Sequence, residues 1–147
     1  MLELYHAHGI QFRFPDAWKL SEQAHGPEAT ITVESPDTSF WSLSLFFDGP
    51  PPEQVLETAV AALAQDYDEI DVYPAAARLC DRDSLARDAE FVCFELINSA
   101  FLRAFRTDDF TALVYYQGTD HELEETRPIL ERICDSLAWD GDRQPLG

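Results

Sequence analysis

The sequence predicts an α+β domain in which an antiparallel sheet of about six or seven strands is sandwiched between helices. Three observations carry this. Short strand patterns dominate the chain, two helical patterns stand apart at its middle and near its end, and three strand patterns between them follow one another across short turns. With 147 residues, 46% hydrophobic and 26% charged, the chain is one domain in size and can bury a core without staples. The expected boundaries are residues 1–141 for the domain and 142–147 for a polar tail.

Gly9 to Phe14 alternates apolar and polar residues and stops at Pro15, which cannot continue a ladder. Asp16-Ala17-Trp18 is a turn that swings the indole inward. Ala29 to Glu34 is a second strand, closed by Ser35-Pro36-Asp37. Phe40 to Phe47 is a third, with Trp41, Leu43, Leu45 and Phe47 on one face and Ser42 and Ser44 opposite. Pro50-Pro51-Pro52 then delivers the chain to a helix, since proline is tolerated in a first turn. Its apolar stripe is Leu56, Ala59, Val60, Leu63 and Tyr67, with Glu53 suited to the positive end of the helix dipole.

Ile70 to Leu79 is extended, and Pro74 confines it to a sheet edge. Asp81 to Ser84 reads as a loop. Three strands follow, at about Glu90–Ile97, Phe101–Thr107 and Thr111–Gln117, joined by turns at Asn98-Ser99-Ala100 and Asp108-Asp109. A helix from about His121 to Leu137 closes the domain, with Asp120 as N-cap, Leu123, Leu130, Ile133 and Leu137 inward, and Pro128 expected to kink it or delay its regular part.

The meander carries the most information. Three-residue turns would set Glu95 opposite Arg103, and Arg103 opposite Tyr115. One face would then hold Val92, Phe94, Leu96, Leu102, Ala104, Ala112, Val114 and Tyr116. The other would hold Phe91, Cys93, Ile97, Phe101, Phe105 and Leu113, crossed by the polar row Glu95-Arg103-Tyr115. Apolar on both faces, such strands must be covered on both, and the simplest arrangement places one helix on each side.

Two stretches resemble the PsbP-like fold family. Gly9-Ile10-Gln11-Phe12-Arg13-Phe14-Pro15-Asp16-Ala17-Trp18 is similar to its opening hairpin, and Ile129 to Leu137, with its hydrophobic-Ser-hydrophobic ending, to its final helix. The order of elements between them is similar too, so the resemblance spans roughly residues 5–139. It implies a PsbP-like sandwich and, because members include an extrinsic photosystem subunit, a nuclear-import factor and secretion adaptors, a binding role without catalysis. A shared fold does not by itself transfer a function.

Ten Lys/Arg against 28 Asp/Glu give a net charge of −18, which disfavours nucleic acid and anionic membranes as partners. Arg78, Arg82 and Arg87 come nearest to a basic cluster, but Asp81, Asp83 and Asp88 sit among them. The opening residues lack the cationic and apolar regions of a secretory signal, and Cys80, Cys93 and Cys134 are odd in number and widely spaced. A cytoplasmic protein with reduced thiols is the expectation.

Glu95, Arg103 and Tyr115 form the sharpest candidate ligand-binding or partner-binding set, with Phe101 and Phe105 beside them; a satisfied cross-strand ion pair is the plainer account of the same row. His6, His8, His25 and His121 do not define a metal site, and neither a nucleophile motif nor a phosphate or calcium loop occurs. Cys93 and Cys134 fall at positions read as buried. No catalytic residue, metal or cofactor is therefore expected. The expected function is a protein-binding adaptor or chaperone-like domain for a basic or apolar partner, with a homodimer as a further arrangement. Its rival is a small-molecule-binding protein or weak hydrolase with a pocket around Glu95, Arg103 and Tyr115.

Overall fold

The structure, a computed structural model, describes residues 1–142. The expected polar tail, residues 142–147, lies outside the described residues except for its first position. Ten strands and two long helices follow in the order β1 (Leu2–Ala7), β2 (Ile10–Pro15), β3 (Lys19–His25), β4 (Glu28–Glu34), β5 (Phe40–Phe46), α1 (Pro52–Asp66), β6 (Ile70–Leu79), β7 (Arg82–Cys93), β8 (Leu96–Arg106), β9 (Thr111–Thr119), α2 (Asp120–Ser136) and β10 (Ala138–Trp139). A short 3₁₀ turn over Asp140–Asp142 ends the described chain.

Seven strands form one antiparallel sheet in the order β3-β4-β5-β9-β8-β7-β6, and β1-β2-β10 form a small second sheet. As expected, β6 is an edge strand, and each helix takes one face of the large sheet. Under α1, Leu56 and Leu63 meet Ala89, Phe91, Ala100, Leu102 and Ala104. On the other face α2 and the small sheet cover a larger core, in which Phe12, Trp41, Leu43, Val114, Leu130 and Ile133 are buried. The meander is thus apolar on both sides and roofed on both.

The two stretches that suggested the family meet in space. Ser136 Oγ accepts a hydrogen bond from the Arg13 amide at 2.8 Å, and β10 adds Trp139 opposite Ile10. Trp18 is buried, as the turn at Asp16–Trp18 requires.

Several boundaries differ from the sequence reading. Strands β1 and β3 were not foreseen because their residues are mostly exposed and carry no inward stripe. Asp81 to Ser84 is not a loop: Cys80 and Asp81, at φ 53° and 59°, make a tight turn and β7 begins at Arg82. Phe47 lies past the end of β5 and is partly exposed instead of lining its inner face. Thr119, not Asp120, caps α2, its hydroxyl accepting from the Glu122 amide at 3.2 Å. The helix continues through Pro128 because both Pro128 and Glu124, whose carbonyl it leaves unbonded, face solvent.

The register of the meander is the main correction. The chain reverses at Phe94-Glu95, giving Cys93 opposite Leu96, and the next loop has four residues, Thr107–Phe110, between Arg106 and Thr111. Each turn differs from its expected length, so Arg103 lies opposite Ala86 and Val114, while Tyr115 lies opposite Leu102. With a side-chain period of two, Leu102 and Ala104 move to the α1 face while Val114 and Tyr116 stay on the α2 face.

Candidate functional site

The expected row of Glu95, Arg103 and Tyr115 does not form. Glu95 is at the exposed tip of the β7–β8 hairpin. Tyr115 faces α1, where it stacks on Phe40 at 5.7 Å and its hydroxyl donates to Gln117; burial pushes its phenol well above the ordinary range. Arg103 faces α2. Phe101 and Phe105 are core residues beneath α2 and present no surface to a partner.

What the structure exposes is the hairpin tip. β7 and β8 are 12 and 11 residues long, so their far end extends past the helices that cover their middle. There Val92, Phe94, Leu96 and Ile97 are 43%, 94%, 55% and 52% exposed. Val92 pairs with Ile97 on one face. Both turn residues adopt left-handed backbone, Phe94 at φ 52° and Glu95 at φ 64°. Glycine and asparagine tolerate that region; a bulky phenylalanine there is an uncommon and strained choice.

Beside the tip, at the start of β6, is a concavity of about 480 Å³. Its apolar wall is Ile70, Phe91, Val92 and Ile97, and its rim is Asp68, Glu69, Asp71 and Glu90. Apolar surface within a ring of carboxylates is suited to a segment that is itself apolar and basic.

A second constellation lies on the α2 face. Ala75, Ala86, Arg103 and Val114 are successive neighbours across β6, β7, β8 and β9. The two alanines leave room for a guanidinium that is 7% exposed. Its Nη1 donates to Asp88 Oδ1 at 2.8 Å and to the carbonyls of Arg87 at 3.2 Å and Leu102 at 3.1 Å. Arg127 of α2 lies over Phe101 with its guanidinium carbon 4.6 Å from the ring centre, and the guanidinium carbon of Arg103 is 5.8 Å from the same ring. Tyr116 stacks on Phe101 at 4.8 Å. Arg103, Asp88, Tyr116 and Arg127 border a cavity of about 290 Å³ between α2 and the sheet edge.

The histidines separate. His6 Nε2 donates to Asp140 at 2.9 Å, and His8 bonds Glu22. Among the described residues no three His, Cys, Asp or Glu side chains gather as a metal would need, and no helix is long and apolar enough to cross a membrane. Cys134 is buried, accepts from Trp41 Nε1 at 3.2 Å, and has its thiol pushed up to about 12 by burial. Cys93, expected to be buried, is partly exposed because it lies next to the tip.

Sequence reasoning missed the tip because a two-residue turn without glycine or asparagine gives no signal, whereas Asn98-Ser99 gives a false one. A usable signal was present. Phe91-Val92-Cys93-Phe94-Glu95-Leu96-Ile97 is a longer apolar run than one covered strand requires, broken only by Glu95.

No protein-family model and no curated protein matches this sequence. Solved structures do. LpqN of Mycobacterium tuberculosis, described as involved in cell envelope biogenesis, aligns over 94% of this chain and 90% of its own with TM-score 0.59 and 16% identity. Cyanobacterial PsbP from Synechocystis aligns over 94% and 92%, with TM-score 0.58 and 11% identity. A Bacteroides thetaiotaomicron protein aligns over 89% of this chain but 45% of its own, with TM-score 0.57 and 10% identity. At these identities the likeness concerns architecture alone, and the two helices, the seven-stranded antiparallel sheet and the small second sheet constitute a PsbP-like fold.

Proposed function

We propose that this chain is a non-enzymatic protein-binding domain that docks an apolar, basic segment of a partner on the β7–β8 hairpin tip. The observation that carries this is the coincidence of four exposed apolar side chains with a rim of four carboxylates at one end of the sheet. Burying Val92, Leu96 and Ile97 supplies the affinity, and the acidic rim supplies selectivity and encounter rate. Self-association through this surface is disfavoured, because two copies would bring like-charged rims together.

Two measurements test the reading. A photocrosslinking residue at Leu96 should yield a discrete adduct in cells, one that is absent when the same residue replaces Lys19 at the opposite sheet edge. In vitro, a synthetic peptide alternating Lys and Val should shift the amide resonances of Val92, Leu96 and Ile97, and salt should weaken it. The Ile97→Ser variant should lose most of that response. Equal adducts at both positions, or peptide shifts spread evenly over the acidic surface, would count against a defined docking site.

A further inference from the structure

The arginines of this acidic chain fall into two kinds. Arg78, Arg103 and Arg127 are each held by a carboxylate. Arg13 and Arg132 are not: neither guanidinium has a hydrogen bond or ion pair among the described residues, and both line one cavity of about 270 Å³ where α2 meets the β1–β2 hairpin. On α2, Ile129, Arg132, Ile133 and Ser136 recur at three- and four-residue steps and so share one stripe. On the hairpin, Leu2 pairs with Pro15, and Arg13 lies two residues before Pro15 on the same face. Ser136 holds the two elements together through the Arg13 amide at 2.8 Å. Apart from the two guanidiniums and this hydroxyl the walls are apolar, and no carboxylate lines them.

We infer that this cavity binds a short amphipathic anion, an aliphatic chain of a few carbons with one anionic head. The chain lies on Leu2, Pro15, Ile129 and Ile133, and the head accepts hydrogen bonds from Arg13 and Arg132. Charge selects the head. A net charge of −18 repels anions over most of the surface, so two guanidiniums without carboxylates beside one hollow are a local exception to that field. The walls select the body. An inorganic anion would leave the apolar surface wet, whereas an aliphatic chain removes it from water at about 25 cal/mol per Å². The volume selects the length, since about 270 Å³ lies below the range of pockets for drug-sized ligands. A free amphiphile fits better than an anionic bilayer, whose headgroups would repel the rest of the surface.

The test titrates hexanoate into the full chain and follows amide resonances, with hexan-1-ol to probe the tail alone and acetate the head alone. Hexanoate should produce saturable shifts centred on Leu2, Ile129 and Ile133, and neither hexan-1-ol nor acetate should saturate. Arg13→Gln and Arg132→Gln, both at exposed positions, should each weaken binding about tenfold, as expected for a hydrogen bond to a charged group. Ile129→Glu should abolish it by placing a carboxylate in the wall. Failure of hexanoate to saturate, an equal response to hexan-1-ol, or undiminished binding by both glutamine variants would each overturn the inference. Binding to phosphatidylglycerol vesicles without saturation by hexanoate would overturn it too, by assigning the two arginines to a bilayer. The hairpin tip is not involved, so its peptide response should be the same in all three variants, which also shows that they fold.

Discussion

The α1-side face of the seven-stranded sheet is built in two unlike halves. Across β7, β8 and β9 it presents Ala89, Phe91, Ala100, Leu102, Leu113 and Tyr115, and α1 covers it. Across β4 and β5 it presents Thr30, Thr32, Ser42 and Ser44, partly exposed and without a helix. The opposite face is continuous core in both halves, with Ile31, Val33, Trp41 and Leu43 beside Val114 and Tyr116. One sheet thus contains both kinds of strand, those with one buried face and those with two. Composition decides which is which: alternation from Ala29 to Val33 in β4 and from Trp41 to Leu45 in β5, against apolar residues broken only by Arg103 from Ala100 to Phe105 in β8.

The comparison is broken most directly at Leu102. It is fully buried and packs with the residues beneath α1. Leu102→Ala should cost about 2–5 kcal/mol by lost transfer energy and a residual cavity. Urea denaturation would read this as a lower midpoint with an unchanged slope. A cost below about 1 kcal/mol would mean that α1 lies loosely on its half of the sheet.

The half without α1 is fastened to the domain at its end instead. Glu122, in the first turn of α2, accepts from the Thr38 amide at 2.9 Å, from the Thr38 hydroxyl, and from the Thr119 hydroxyl at 3.1 Å. Burial alone would raise its carboxyl, but these hydrogen bonds outweigh it and hold the group below the usual carboxylate range. Because the folded-state value lies below the unfolded one, the stabilisation is complete above the unfolded carboxylate range. It is lost as pH falls through the folded value. Glu122→Ala should cost about 1 kcal/mol at neutral pH. The difference from the parent should shrink on acidification, and a difference that grew would show that the carboxylate is not the stabilising form.

The same contrast explains what could be read from the residues and what could not. Ser42 and Ser44 opposite Trp41, Leu43 and Leu45 fixed the facing of β5, because alternation ties each side chain to a face. Leu56, Ala59, Val60 and Leu63 located α1 for the equivalent reason at helical period. In the middle of β8, from Ala100 to Phe105, only Arg103 interrupts the apolar residues, so its pattern holds no phase. The register then depended on turn lengths that local chemistry does not reveal, since Phe94-Glu95 carries no turn residue. Arg103 was rightly singled out as a charge that needs a partner. Its partner, Asp88, is reached diagonally across β7, and the turn expected at Asn98–Ala100, which set Arg103 opposite Glu95 instead of Ala86, hid it.

The smallest expected effect is the sharpest test of the unlike halves. Ser44 lies between Thr30 and Leu113 on the helix-free half, and its hydroxyl is 3.2 Å from that of Thr30. Ser44→Val loses this contact between half-exposed groups and gains a residue suited to strands, so the two terms should nearly cancel. Its measured stability should fall within about 0.5 kcal/mol of the parent. A loss above about 1 kcal/mol would show that the hydroxyl ladder is itself structural. A gain of that size, accompanied by concentration-dependent sedimentation, would show that an added apolar side chain had made this half of the sheet a contact between copies of the chain. Hydroxyls would then be what keeps an otherwise sheet-like, half-covered surface from pairing with its own kind.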